Sequence, residues 1–153
     1  EAKESLKILK RLYNSVPPNQ ADVIVALGGD GTVLKCLHNF LKKKIPIYGM
    51  NRGYVGFLMN QYSEENLEKR LDKAIPYKLY PLKIKSYDSK GKIKKGLAFN
   101  DVSMIRNSSK IAKIRVQINN KTRIKEFLGD GCLISTPAGS SAYNLSLRGR
   151  LRL

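Results

Sequence analysis

The stretch Gly28-Gly29-Asp30-Gly31-Thr32 constrains this chain more than any other. The apolar run Val23 to Leu27 before it is short, continuous and β-branched, which predicts a buried strand. After it, Val33, Leu34, Leu37, Phe40 and Leu41 recur at helical spacing and predict a helix over about 32–43. The glycines therefore occupy a strand-to-helix turn, where backbone amides and a helix N-terminus can face an anion. Asp30 is unexpected there, because a carboxylate repels phosphate. It suits the site if it holds a metal ion or takes a proton from an attacking hydroxyl. A plain tight turn with an acidic residue near a helix start is the simpler alternative, but three glycines exceed what such a turn needs.

The glycine turn needs a folded support, and 153 residues with 42% hydrophobic content supply one ordinary domain or two small ones. Lys plus Arg number 29 against 12 acidic residues, a net charge of +17 that attracts anions. Nucleic acid, a membrane surface and a phosphorylated small molecule all fit that field. The basic residues are dispersed, however, with only Lys42-Lys43-Lys44 as a short block. Trp is absent, so stacking recognition of nucleic acid has little to build on. Cys36 and Cys132 lie far apart in apolar segments, without metal or disulfide spacing, and read as buried free thiols of a reducing compartment. The charged start Glu1-Ala2-Lys3-Glu4 has no signal-peptide pattern, and no apolar run approaches the roughly 18–20 residues of a membrane span. A cytoplasmic location is expected.

In chain order, 4–14 predicts a helix with Leu6, Ile8, Leu9, Leu12 and Tyr13 as its apolar set, ended by Pro17-Pro18. Residues 22–27 predict a strand, and Ile45 to Met50 a second one. Asn51-Arg52-Gly53-Tyr54-Val55-Gly56-Phe57-Leu58 repeats the pattern of strand followed by glycine loop. This is the rhythm of an open parallel α/β sheet, which binds ligands at the carboxyl ends of its strands. Residues 63–74 predict a helix capped by Ser63, with Leu67 and Leu71 inward. From about residue 77 the pattern alternates: 77–87, 111–118 and 122–127 read as strands, with turns at 88–92 and at Asn119-Asn120. We expect an α/β domain over 1–76 and a largely antiparallel β domain over 77–153.

A second constellation runs from Gly129-Asp130-Gly131 to Thr136-Pro137-Ala138-Gly139-Ser140-Ser141-Ala142-Tyr143. A short strand, Cys132 to Ile134, separates two glycine loops. Residues 141–147 can begin a helix whose N-terminus faces a diphosphate, or form a Ser/Thr-rich capped turn.

Together these pieces resemble the NAD kinase family. Gly28-Gly29-Asp30-Gly31 is similar to its first signature, Gly49 to Leu58 to its second loop, Asn100-Asp101 to its Asn-acid pair, and 129–143 to its most distinctive run. The resemblance covers about 3–147. It implies phosphoryl transfer from ATP, with Mg²⁺ or another divalent cation, to the 2′-hydroxyl of the adenosine ribose of NAD, giving NADP. It implies Asp30 as the base or orienting group, Gly31 beside phosphate and Lys35 as phosphate charge. Asn100 and Asp101 would recognise adenine or ribose, and Asp130 would meet the nicotinamide end or a neighbouring subunit. Ser141, Ala142, Tyr143, Asn144, Leu145 and Ser146 would line the adenosine. A dimer or tetramer is implied, with no membrane partner, and nucleic acid is disfavoured. His38, the single histidine, reads as structural.

The family's chains are longer at both ends. Leu147 to Leu153 departs where the family has a glycine pair, so Arg148 sets a bulky charge where close packing is expected. A shortened chain with an incomplete antiparallel sheet is expected to expose edges and apolar faces. Two alternatives follow. One is a degenerate copy that binds NAD without turnover. The other is a lipid or sugar kinase sharing the Gly-Gly-Asp-Gly turn, which would leave Asn100-Asp101 and Ser140 to Tyr143 without a role.

Overall fold

Helical spacing at the N-terminus yields α1, Ala2–Leu12, in a computed structural model that describes residues 1–54 and 56–152. Val55 of the second glycine loop and Leu153 of the tail lie outside the described residues. The chain divides into two compact units, Glu1–Tyr77 and Lys78–Leu153.

In the first unit, β1, Ile24–Gly28, pairs in parallel with β2, Ile47–Asn51, in a register running from Ile24↔Ile47 to Gly28↔Asn51. Pro46 stands just before β2, where a missing N–H costs nothing, and its carbonyl accepts from Ile24 N. Between the strands runs α2, Asp30–Phe40. Side chains alternate across the parallel pair. On one face Val25, Leu27 and Tyr48 pack around Leu9, Met50 and Leu67. On the other, Ala26 and Val33 are buried, and a Cβ on Gly49 would stand 2.8 Å from Val33 Cγ2. The core is thus a thin two-stranded layer with helices on both faces. An open sheet of further strands is not present among the described residues.

Several boundaries differ from expectation. Helix α2 begins at Asp30, inside the glycine motif, because Gly29 is the last extended residue. It ends at Phe40, followed by turn residues to Lys44, whose φ is 53°. The helix expected over 63–74 is only α3, Leu67–Asp72. Ser63 does not cap it: Ser63 Oγ accepts from Glu65 N at 3.2 Å, and Asn66 in left-handed geometry starts the helix afresh. In α1, Leu9 is buried, but Leu6 and Leu12 are exposed, so its apolar stripe is narrower than the spacing suggested. No helix among the described residues is long and apolar enough to cross a membrane.

The second unit holds three antiparallel pairs. β3 (Leu82–Tyr87) pairs with β4 (Ile93–Ala98), β5 (Asp101–Ile105) with β8 (Gly131–Ser135), and β6 (Ala112–Ile118) with β7 (Lys121–Gly129). The expected strand over 77–87 starts only at Leu82. Asp88 closes the β3–β4 turn by accepting from the amides of Lys90 and Lys92. Asn119 and Asn120 both adopt positive φ, 51° and 61°, the geometry of a tight hairpin turn. After β8, where the sequence left a helix start or a capped turn open over 141–147, a 3₁₀ turn, Ala138–Ser141, leads into a single helical turn, α4, Tyr143–Ser146. Cys36 and Cys132 are free but only partly buried, rather than buried as expected.

Candidate functional site

The first unit presents its glycine turn at the carboxyl ends of β1 and β2. Gly28 must lack a side chain: its Cβ would overlap Thr32 Oγ1, whose own backbone amide donates to Gly29 O. Gly29 and Gly31 face open space, leaving the backbone at the start of α2 accessible to a ligand. Asp30 is half-buried, and its carboxylate is fastened. Oδ2 accepts from Phe57 N at 3.0 Å, and Oδ1 from Leu58 N at 2.9 Å. The first motif is therefore tied to the second glycine loop, and Gly56 permits the approach. A Cβ there would stand 2.9 Å from Asp30 Oδ1 and 2.5 Å from Met59 Cγ. Each carboxylate oxygen has a second lone pair, so Asp30 can still accept from a hydroxyl.

The second loop is equally ordered near β2. Arg52 N donates to Gly28 O at 2.8 Å, and Gly53 N to Asn51 Oδ1 at 2.9 Å. Met50 forms a parallel bridge with Asn60, so 58–62 run beside β2. Arg52 stacks on Tyr62, its guanidinium carbon 4.3 Å from the ring centre. Arg52 was not among the expected site residues. Its only sequence signal was its place between Asn51 and Gly53. Lys35 and His38 are both exposed on α2.

In the second unit, Asn100 and Asp101 lie beside the end of β8, where Asp101 pairs with Ser135. Thr136 is the buried pivot. Its Oγ1 donates to Phe99 O at 2.6 Å and accepts from Gly139 N at 2.9 Å, while its amide donates to Asn100 O at 2.8 Å. Gly139 packs so tightly on the Asn100 backbone that any Cβ would overlap its carbonyl oxygen. Asn100, Asp101 and the 138–146 segment are thus brought together. Asp130 is not: it flanks the other end of the same ladder, opposite Arg106 and about 17 Å along the strands. There it pairs with Arg106 at 2.5 Å, its side chain 82% exposed.

Among the other expected residues, Ser141 and Ala142 are half-buried, and Tyr143, Leu145 and Ser146 are exposed. Asn144 is engaged: Nδ2 donates to Ser140 O and Arg150 O, both at 3.1 Å, holding the tail against α4. Arg148 is accommodated by a left-handed φ of 58° rather than by close packing.

Burial pushes the Cys36 thiol above its ordinary range. No cluster of three or more His, Cys, Asp or Glu able to hold a metal ion exists among the described residues.

A model of the ATP-NAD kinase N-terminal domain matches residues 2–78. The chain is 47% identical over 149 residues to an NAD kinase of Caulobacter vibrioides, covering 97% of this chain and 57% of that protein. It is 46% identical to one of Rhizobium meliloti, over 97% and 58% of the two chains. The chain therefore spans somewhat under three fifths of these relatives' length. Among solved structures, an Archaeoglobus fulgidus NAD kinase in complex with ATP superposes with a TM-score of 0.67 at 30% identity, over 97% of this chain and 61% of that one. Yeast NADH kinase complexed with NADH gives 0.67 at 22% identity, a likeness of fold, over 99% and 51%.

Proposed function

The chain belongs to the NAD kinase family, and on that premise we propose that it transfers the γ-phosphate of ATP to the 2′-hydroxyl of the adenosine ribose of NAD, forming NADP. The observation that carries this reading is Asp30, anchored by two amides, at the lip of an open glycine turn. An anchored carboxylate with free lone pairs orients a hydroxyl for in-line attack and accepts its proton. Backbone N–H groups at the start of α2, with Gly31, receive the transferred phosphate. Phosphoryl transfer needs positioning and charge neutralisation more than covalent chemistry. A divalent ion such as Mg²⁺ would be held mainly by the nucleotide's phosphates and would neutralise charge developing there.

Asn100 and Asp101 are assigned to adenine and ribose hydroxyls, since an amide both donates and accepts and a carboxylate accepts two hydroxyls. Ser141, Ala142, Tyr143, Leu145 and Ser146 are assigned to the adenosine half of NAD. Asn144 acts by holding the tail, Asp130 serves the nicotinamide end or a neighbouring subunit, and Lys35 supplies phosphate charge. On this reading the second unit, from about residue 77, is the NAD-recognition domain. A homo-oligomer is supported by exposed apolar side chains such as Met104, Ile105 and Ile134. A cytoplasmic setting is supported by two free thiols.

The test is NADP formation by the purified chain with ATP, Mg²⁺ and NAD. Asp30→Asn is expected to lower the rate by about 10²–10⁴-fold. Equal rates for the two proteins would overturn the catalytic role. NAD binding without turnover would favour the degenerate-copy reading.

A further inference from the structure

We propose that Arg52 is a preorganised phosphate-binding residue, its guanidinium held flat on Tyr62 to meet the di- or triphosphate of the donor nucleotide. The identity of the anion rests on the kinase reading. The anion-binding property itself rests on four observations within the first unit.

The loop is fixed at its backbone. Arg52 N donates to Gly28 O, extending the β1–β2 ladder by one bond, and Asn51 Oδ1 caps Gly53 N. The side chain is fixed as well. Residues 58–62 run parallel to β2 through the Met50–Asn60 bridge, so Tyr62 falls level with Arg52 and offers its ring at 4.3 Å. The ring is itself anchored, because Tyr62 OH donates to Glu64 Oε1 at 3.0 Å.

The charge is nevertheless unanswered. Arg52 Nε is buried without a hydrogen-bond partner. No ion pair of the described residues includes Arg52; those present are the N-terminal ammonium of Glu1 with the Glu4 carboxylate, Arg106–Asp130 and Lys113–Glu126. Arg70, near the same strand, shows the contrast. It stacks on Tyr48 at 5.8 Å, but its donors reach Ser63 O, Gln61 O and Met50 Sδ. Arg70 is satisfied by the protein and Arg52 is not.

A half-buried guanidinium without an acceptor is costly, and native proteins leave few such groups without cause. A planar fork immobilised on an aromatic face loses little entropy on binding and matches phosphate oxygens in bidentate fashion. Arg52 follows directly on the strand whose end faces the glycine turn, where a Cβ on Gly53 would lie 3.9 Å from Gly29 Cα. Phosphate is therefore the anion its position selects.

Binding of inorganic pyrophosphate to the purified chain tests this. Arg52→Gln should weaken binding by about tenfold to hundredfold, the worth of a charge-assisted bond. Arg52→Lys should fall between, keeping charge but losing the fork. Tyr62→Leu should weaken binding more than Tyr62→Phe, which keeps the ring face but loses its bond to Glu64. In the wild-type chain an arginine-selective dicarbonyl reagent, read by mass spectrometry, should modify Arg52, and pyrophosphate should protect it. Protection also decides the matter if Arg52→Gln fails to fold. Unchanged affinity in a folded Arg52→Gln, or equal labelling with and without pyrophosphate, overturns the proposal. A chain that forms no NADP yet passes these tests would remove the kinase reading and leave this one standing.

Discussion

At the residue scale, Asp30 links the two glycine motifs. Its bonds to Phe57 N and Leu58 N are charge-assisted, a class worth about 1.5–3 kcal/mol each in favourable settings. Asp30→Ala should therefore speed hydrogen exchange at the Phe57 and Leu58 amides by about tenfold or more; unaltered exchange would show that the carboxylate does not hold the loop. Gly56→Ala pushes on the same contact from the other side. Its Cβ has Met59 Cγ at 2.5 Å and Asp30 Oδ1 at 2.9 Å, and overpacking of this kind costs about 1–3 kcal/mol, readable as a lower urea midpoint. Cys36 carries a pH dependence. Burial raises its pKa, so the folded state disfavours the thiolate. Folded stability from this group is intact below the thiol's unfolded value and declines as pH rises from there through the raised folded value. Alkylation of Cys36 at pH 8 should be slower than that of a free thiol peptide, and urea should abolish the difference.

At the element scale, two turns carry backbone strain that substitution can relieve. Arg148 ends α4 at φ 58°, with Arg148 N donating to Leu145 O and Gly149 N to Asn144 O. A left-handed conformation costs an ordinary residue about 1–2 kcal/mol, and helix ends of this kind favour glycine. Arg148→Gly should raise stability by up to about 1 kcal/mol. An unchanged or lower urea midpoint would show that Arg148 contributes something its conformation does not reveal. Asn119 and Asn120 tolerate their positive φ better than most residues, and this was legible beforehand from the residue pair alone. Helix α3 was not so legible. Glu64, Glu65 and Ser63 supply favourable helix-start chemistry, but Tyr13 OH donates to Glu64 O and accepts from Leu67 N. A side chain 54 positions away thus holds residues 64–66 outside the helix.

At the scale of the whole molecule, charge and apolar exposure oppose one another. Along β6, Ile114, Val116 and Ile118 alternate, with Phe127 and Ile124 opposite the first two. Ile114 is buried, whereas Ile118, Ile124 and Phe127 stay largely exposed. The net charge of +17 keeps copies apart at low salt. Raising ionic strength should screen that repulsion and increase the sedimentation coefficient, and Ile124→Lys should reduce the increase. A coefficient independent of salt and of this substitution would overturn self-association through the apolar row.

The sequence by itself determined the strand-turn-helix around Gly28 to Thr32, the parallel pairing that follows it, the change to antiparallel structure near residue 77, and the motifs by which the family is recognised. Each depends on periodicity, glycine content or local turn chemistry, which neighbouring residues impose on one another. Tertiary structure alone decided that Asp30 is clasped by amides 27 and 28 positions away, that Asn144 is occupied by the tail, and that Arg52 lies on Tyr62 without an acceptor. Those contacts join residues 6 to 28 positions apart that only the folded path of the chain brings side by side. No local pattern encodes which hydrogen bonds such segments leave unmade, because that follows from how the whole unit packs.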